Sequence, residues 1–181
     1  MTGPRASLEL TGQPLGFAEL AEIGAGRLQP VASPAGMARV ELARGVLEEA
    51  IGRGVPVYGA TTGVGAMKDV AWSPDELDAF NLGLVRAHHF GTGSPFPCSV
   101  VRNAMAIRVN TALTGYVGCT PELVQAYLDL LNADVIPVVR RTGSIGCADI
   151  GLMGQIGAVL TGVGEARYRG ERMSAEQAFA R

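Results

Sequence analysis

The stretch that most constrains the fold is residues 142–151, Thr-Gly-Ser-Ile-Gly-Cys-Ala-Asp-Ile-Gly, where glycines precede a strongly apolar helical run. Glycine tolerates positive φ and close backbone approach, so Gly143 and Gly146 predict a tight turn. Asp149 is a good N-cap for the helix that we expect over residues 149–162. The free N–H groups of a helix start favour negative charge, so this junction could hold a carboxylate or stabilise a developing anion. An ordinary tight loop is the alternative, because short glycine-serine matches often arise by chance.

Three further glycines, Gly151, Gly154 and Gly157, lie inside that helical run at a spacing of three residues. A glycine inside a helix costs about 1 kcal/mol relative to alanine, so each needs a packing reason. Their spacing places them along one helix face. We therefore expect another helix, in this chain or in a partner, to approach that face closely, and a merely weak helix is the alternative.

Composition limits the class of protein. With 181 residues, 48% hydrophobic and 18% charged, the chain is long enough for one globular domain over residues 1–181. The net charge is −2 and the cationic residues are scattered, so nothing favours a nucleic-acid or membrane-surface partner. The apolar runs are too short for a membrane span, and no signal pattern opens the chain. The three cysteines, Cys98, Cys119 and Cys147, lack metal-ligand spacing and suit a reducing compartment, so we expect a cytoplasmic protein without a metal site.

The rest of the pattern is mainly helical. Ser33, Ser73 and Thr120 are each followed by proline, which is the typical start of a helix. The full set of predicted elements is a strand over 7–10, helices near 17–23, over 34–51, from 73 to about 88, over 100–113 and from 120 onward, and a hairpin over 164–173 before a last helix capped by Ser174.

A second glycine-rich segment, residues 55–65, is here called the tyrosine loop and has Tyr58 near its start. Its three glycines within seven residues forbid regular structure, and it lacks the Gly-Lys-Ser/Thr ending of a phosphate-binding loop. A tyrosine, with an ordinary pKa of about 10, acts as a base only if charge or hydrogen bonds support it. Alternatively, the ring of Tyr58 packs against its neighbours and its hydroxyl is satisfied locally.

Several segments, in order, resemble the histidine and phenylalanine ammonia-lyase family. The matching residues are Tyr58, Gly59, Thr62, Gly63 and Gly65; Leu84, His88, Gly91 and Gly93; 130–139; and 143–149. The resemblance implies a mainly α fold, the N-terminal domain of the fumarase/aspartase-like helical fold with small β-hairpins. It also implies that Tyr58 is the general base, that Gly65 belongs to the same catalytic loop, and that His88 lies at the substrate pocket.

The residues 143–149, here called the triad loop, depart from the family at its cofactor. Family members carry Ala-Ser-Gly before the aspartate, and this triad cyclises into the electrophile methylideneimidazolone (MIO). If Asp149 matches that aspartate, the triad position holds Gly146, Cys147 and Ala148, and the loop is one residue short. Loss of hydrogen sulfide from Cys147 could give the same methylene group, but Ala148 would crowd the ring closure. We therefore expect MIO to be absent.

Family enzymes continue into a long helical body, so the resemblance implies that this chain needs another polypeptide in order to function. We expect a subunit of an amino-acid ammonia-lyase-like enzyme that eliminates or adds across Cα–Cβ of a small molecule. A second polypeptide would complete it in a hetero- or homo-oligomer. The alternatives are a lyase-fold enzyme that works without MIO and a non-catalytic accessory protein of the same fold.

Overall fold

The computed structural model describes residues 5–70, 72–147 and 150–181, with the side chains of Pro74 and Asp75 left aside, and confirms a mainly helical chain. The helices are α1 Phe17–Gly24, α2 Pro34–Gly52, α3 Pro74–Ala87, α4 Cys98–Ala112, α5 Pro121–Asn132, α6 Ile150–Leu160 and α7 Ala175–Phe179. The strands are β1 Ala6–Leu10, β2 Leu28–Ala32, β3 Thr92–Pro95, β4 Val135–Pro137, β5 Arg140–Thr142, β6 Glu165–Tyr168 and β7 Glu171–Ser174. A short 3₁₀ helix spans Gly65–Met67.

The predicted helix starts are confirmed by their caps. The hydroxyl of Ser33 accepts a hydrogen bond from the N–H of Gly36 at 3.0 Å, and Thr120 caps α5 in the same way. At the start of α3, the carboxylate of Glu76 accepts hydrogen bonds from the N–H and the hydroxyl of Ser73, at 3.0 and 2.6 Å. The hydroxyl bond is the largest cause of the lowered pKa of Glu76. This capping arrangement fixes the start of α3, the helix that ends at the candidate site.

The core lies around α4, which packs against α1 and α5. Met105, Val109 and Leu113 on or just after α4 are essentially inaccessible to solvent. The three-stranded antiparallel sheet β4-β6-β7 covers one end of this core, and its β6-β7 pair is the predicted hairpin. Strands β1 and β2 pair in parallel across α1. Strand β2 was missed because it contains Pro30, and β4 because three residues are too few to show alternation.

Helix α2 carries an apolar stripe, part of which faces outward; its residues are Met37, Val40, Leu42, Val46, Leu47 and Ile51. Within α2, which is fully described, Leu42 and Val46 are 72% and 69% exposed, whereas Val40 is buried. The stripe is therefore only partly used by the core of this chain. Within the described residues, no helix is both long and apolar enough to cross a bilayer.

One long-range pairing positions the site. Strand β3, which follows α3, pairs antiparallel with β5, which precedes the triad loop, and Thr92 lies opposite Thr142. The sequence did not predict this pair, because each strand is short and its partner is distant in the chain. The pairing brings the end of α3 beside the triad loop.

Candidate active site

The segment after α3 lies directly against the start of the triad loop. A methyl group on Gly143 would lie 3.3 Å from the Cα atom of Gly91 and 3.3 Å from Cδ2 of Phe90. Gly143 also takes a φ of +129°, which side chains rarely adopt. Glycine at position 143 therefore allows the two segments to touch through their backbones, as the predicted tight turn requires.

Helix α6 packs against the same segment through its glycines. A methyl group on Gly154 would lie 2.5 Å from the carbonyl oxygen of His88, and one on Gly151 would lie 2.7 Å from Cε2 of Phe90. At Gly157 the corresponding distance, to Cγ1 of Val85, is an ordinary 3.6 Å. A close neighbour in this chain is found for the first two glycines, but it is the segment that follows α3 and not, as predicted, a helix. Helix α3 itself meets this face only at Gly157, at an ordinary distance.

His88 follows the last turn of α3 and is half-buried. Its Nδ1 lies 2.7 Å from the carbonyl oxygen of Leu84. Because a carbonyl oxygen only accepts, Nδ1 carries a hydrogen, and in the tautomer with a single N–H, Nε2 is an acceptor. The ring is thus oriented by the helix that carries it, and Nε2 is the atom available to a ligand.

The tyrosine loop folds back on itself. The N–H of Val57 donates to Oγ1 of Thr61 at 2.8 Å, and the N–H of Trp72 donates to the carbonyl oxygen of Thr61 at 3.3 Å. The ring of Trp72 stacks on Phe80 of α3, with 4.8 Å between the ring centroids. This stacking attaches Trp72, which follows the tyrosine loop, to α3, the helix that precedes His88.

Tyr58 presents its side chain outward from this loop. The side chain is 65% exposed, and its hydroxyl oxygen accepts a hydrogen bond from the N–H of Gly65 at 3.0 Å. Gly65 adopts a φ of +58°, which glycine tolerates best. The two residues that the resemblance placed in one catalytic loop are therefore in direct contact, whereas the ring of Tyr58 is not packed into a core.

The described part of the triad loop is an irregular turn. Gly146 takes a φ of +72°, and its N–H donates to Oγ of Ser144 at 3.2 Å. Cys147 is exposed, and its carbonyl oxygen accepts from the N–H of Ile150 at 3.1 Å. Ala148 and Asp149 lie outside the described residues, and so does the predicted N-cap.

The side chains of the triad loop do not fit the family's cofactor chemistry. MIO formation by dehydration needs a serine hydroxyl, whereas the triad position holds the thiol of Cys147 if Asp149 matches the family's aspartate. The carbonyl oxygen of Cys147 accepts the hydrogen bond from the N–H of Ile150. No step of the chemistry below is therefore assigned to MIO. Among the described residues, no group of three His, Cys, Asp or Glu side chains is arranged to hold a metal ion.

The structure brings the segment that follows His88 against the start of the triad loop, but among the described residues no hydrogen bond joins Tyr58 to His88 or to the triad loop. A cleft of about 1210 Å³ between α4, α5 and the β6-β7 hairpin contains none of the predicted site residues. Tyr58 and Cys147 instead lie on open surface. Chemistry at these residues would need a cover that the described residues do not form.

Two supporting residues escaped the sequence analysis. Gln155 is 3% exposed within α6 and hydrogen-bonds the backbone on both sides of the triad loop. A polar residue within an apolar helical run was its only signal. Arg140, on β5, donates to the carbonyl oxygen of Gly93 at 2.9 Å and pairs with Glu165 at 3.4 Å. The pKa of Glu165 is lowered, first by its hydrogen bond from Arg172 and further by the charges of Arg172 and Arg140.

Comparison with known proteins finds relatives along the whole chain. Histidine ammonia-lyase of Stigmatella aurantiaca is 34% identical over the whole of this chain, and that of Geobacillus thermodenitrificans is 34% identical over 94% of it. The chain spans only 35% and 34% of the lengths of these two relatives.

Solved structures show the same fold. The ergothioneine-degrading enzyme ergothionase of Treponema denticola superposes with a TM-score of 0.93 at 33% identity, over 96% of this chain and 35% of that one. Histidine ammonia-lyase of Trypanosoma cruzi gives a TM-score of 0.87 at 26% identity, over 96% and 34%. The family model for aromatic amino acid lyases matches residues 15–181. This chain therefore belongs to the aromatic amino acid lyase family.

Proposed function

We propose that this chain carries the tyrosine base of an ammonia-lyase-like enzyme, which eliminates or adds an amine across Cα–Cβ of a small amino acid. The observation that carries the proposal is the hydrogen bond from Gly65 to the hydroxyl oxygen of the exposed Tyr58. That bond fixes the position of the oxygen and leaves its other lone pairs open to a substrate. A base must be held in this way to meet a proton at a defined carbon.

The reaction then needs few protein groups. In elimination, the ionised oxygen of Tyr58 takes a proton from one substrate carbon, and the C–H electron pair forms the double bond. The electron pair of the C–N bond leaves with the amine. Addition runs through the same steps in reverse, with the protonated Tyr58 returning its proton to carbon.

His88 supports an imidazole-bearing substrate. In the tautomer whose Nδ1 donates to Leu84, Nε2 is an acceptor, and no hydrogen bond to it is found among the described residues. It could accept the N–H of a substrate imidazole. The similar proteins are named for histidine and for ergothioneine, which both contain that ring. We therefore propose these two compounds as the first substrates to test.

We also propose that the triad loop stays uncyclised. The purified chain should then have the full mass of its 181 residues, and its tryptic peptide 142–167 should take up one equivalent of iodoacetamide at Cys147. Cys98, in another peptide, is the internal control for alkylation. The chain should also lack the near-ultraviolet absorbance of MIO. A mass deficit of water or hydrogen sulfide in the 142–167 peptide would contradict the proposal.

A second polypeptide, we propose, supplies the cover that the site lacks. The chain spans about a third of the length of its relatives, and Tyr58 and Cys147 lie on open surface. Leu42 and Val46 of α2 add apolar surface that the described core does not use. Such surface is typical of a protein that associates with another chain.

Co-expression with the polypeptide that carries the remaining family length should therefore yield a stable complex. Light scattering measures its mass, and amine release from histidine or ergothioneine measures its activity. The chain without its partner should self-associate or aggregate and should release no amine, because its site is open to water. A well-behaved monomer that binds no second chain would contradict the partner proposal.

A non-catalytic accessory role is the second candidate, favoured by the cysteine at position 147 where family enzymes carry serine. The same complex distinguishes the two. Binding of histidine or ergothioneine without release of amine would favour the accessory role, whereas turnover would exclude it. Turnover by a chain of full mass would in addition establish a route that does not use MIO.

A further inference from the structure

The side-chain amide of Gln155 makes hydrogen bonds on both sides of the triad loop. Its Oε1 accepts from the N–H of Arg140 at 2.8 Å, and its Nε2 donates to the carbonyl oxygen of Arg140 at 3.3 Å. The same Nε2 donates to the carbonyl oxygen of Gly151 at 3.1 Å. One side chain thus satisfies the strand that leads into the loop and the helix that leads out of it.

A primary amide is the group that this arrangement requires. The site presents one N–H and two carbonyl oxygens, and an amide supplies one acceptor and two donors. Gln155 is only 3% exposed, so water cannot readily replace these bonds. A methyl group on Gly91 would lie 2.7 Å from both Nε2 and Oε1, so the absence of a side chain at position 91 makes room for the amide.

We propose that Gln155 is the positioning residue of the candidate site, which fixes both ends of the triad loop and its distance from the segment that carries His88. Through Arg140 it holds β5, whose partner β3 follows the histidine. Through Gly151 it holds the first turn of α6, whose next glycine touches the carbonyl of His88. The shape of the loop is thus set by a buried side chain outside it. The inference rests on the proposed function only in giving the loop a catalytic purpose.

The test is amide hydrogen exchange on the full chain, in the soluble form in which it is purified, alone or in complex, resolved by residue with mass spectrometry and electron-transfer fragmentation. The variant Gln155→Met keeps the length and apolar volume of the side chain and removes all three hydrogen bonds. We expect exchange of the Arg140 and Ile150 amides to become about tenfold to a hundredfold faster. Exchange of the Val138 amide, which donates to the carbonyl of Glu165 at 2.8 Å, should stay within about threefold.

Ile156→Val is the matched control, because Ile156 is the next residue of α6, is also buried in the core, and has an aliphatic side chain that forms no hydrogen bond. It should leave the ratio of Arg140 to Val138 exchange unchanged. If Gln155→Met alters that ratio no more than Ile156→Val does, Gln155 is an ordinary core residue and the proposal is wrong.

A measurement on the unaltered chain keeps the proposal testable if Gln155→Met does not fold. The Arg140 amide should exchange at least about a hundredfold slower than in an unstructured peptide, because its acceptor is buried. Exchange at the unprotected rate would overturn the proposal. Neither readout involves turnover, so a failure here is distinct from a failure of the proposed lyase activity.

Discussion

Tyr58→Phe is expected to lower kcat of the assembled enzyme by about 10²- to 10⁴-fold, the usual contribution of a general base. The substitution removes only the oxygen that accepts the hydrogen bond from Gly65. Because that bond is exposed, water replaces it and the free energy of unfolding should change by less than about 0.5 kcal/mol. The measurement is amine release at saturating substrate, together with urea unfolding of the same preparation.

Tyr116→Phe is the matched control. Tyr116 is 92% exposed, and no hydrogen bond of its hydroxyl is found among the described residues, so kcat should be unchanged. If Tyr58→Phe turned over as fast as Tyr116→Phe, the base would have to be another group. Loss of activity together with loss of the folded state would point to a structural role for the tyrosine loop.

Gly154→Ala and Gly157→Ala are expected to change stability in opposite directions. The added methyl at position 154 would lie 2.5 Å from the backbone oxygen of His88, so α6 or the end of α3 must move. Such overpacking typically costs about 1–3 kcal/mol, which exceeds the gain in helix propensity. At position 157 the nearest atom is 3.6 Å away, and alanine should raise the free energy of unfolding by up to about 1 kcal/mol.

Urea midpoints of the two variants measure this difference directly. Gly154→Ala should also raise KM, since it displaces the residue proposed to contact the substrate imidazole. Gly157→Ala should leave KM unchanged while raising the midpoint. Equal urea midpoints for the two variants would show that the backbone at His88 moves to accommodate the methyl group without loss of stability. That outcome would contradict rigid packing between α6 and His88.

Local features of the fold followed from the sequence because they depend on neighbouring residues. Caps such as Ser33 and Thr120 fixed helix starts, and the hairpin predicted over 164–173 is the β6-β7 pair. The β3-β5 pair did not follow, since short strands gain their stability from a distant partner. The outward face of α2 was also missed, because periodicity identifies an apolar face and does not say what covers it.

The candidate site, like the fold, has some features that the sequence predicted and others that it did not. The family resemblance placed Tyr58 and Gly65 in one loop, whereas their hydrogen bond was not predicted and is seen only in the structure. For Gly154 the sequence predicted a close neighbour, but it did not identify that neighbour as His88. Gln155 could not be assigned a role, because its three bonds depend on how α6 docks against β5.

The β3-β5 pairing has a consequence for how the protein acquires its site. The pair joins segments 47 residues apart, as the bond from Arg140 to Gly93 shows, and α4 and α5 lie between them. Long chain closures are slow relative to the formation of local helices. Helices α4 and α5 should therefore form before His88 meets the triad loop, and a nascent chain that has not yet reached β5 cannot hold the two together. The candidate site is accordingly a late product of folding.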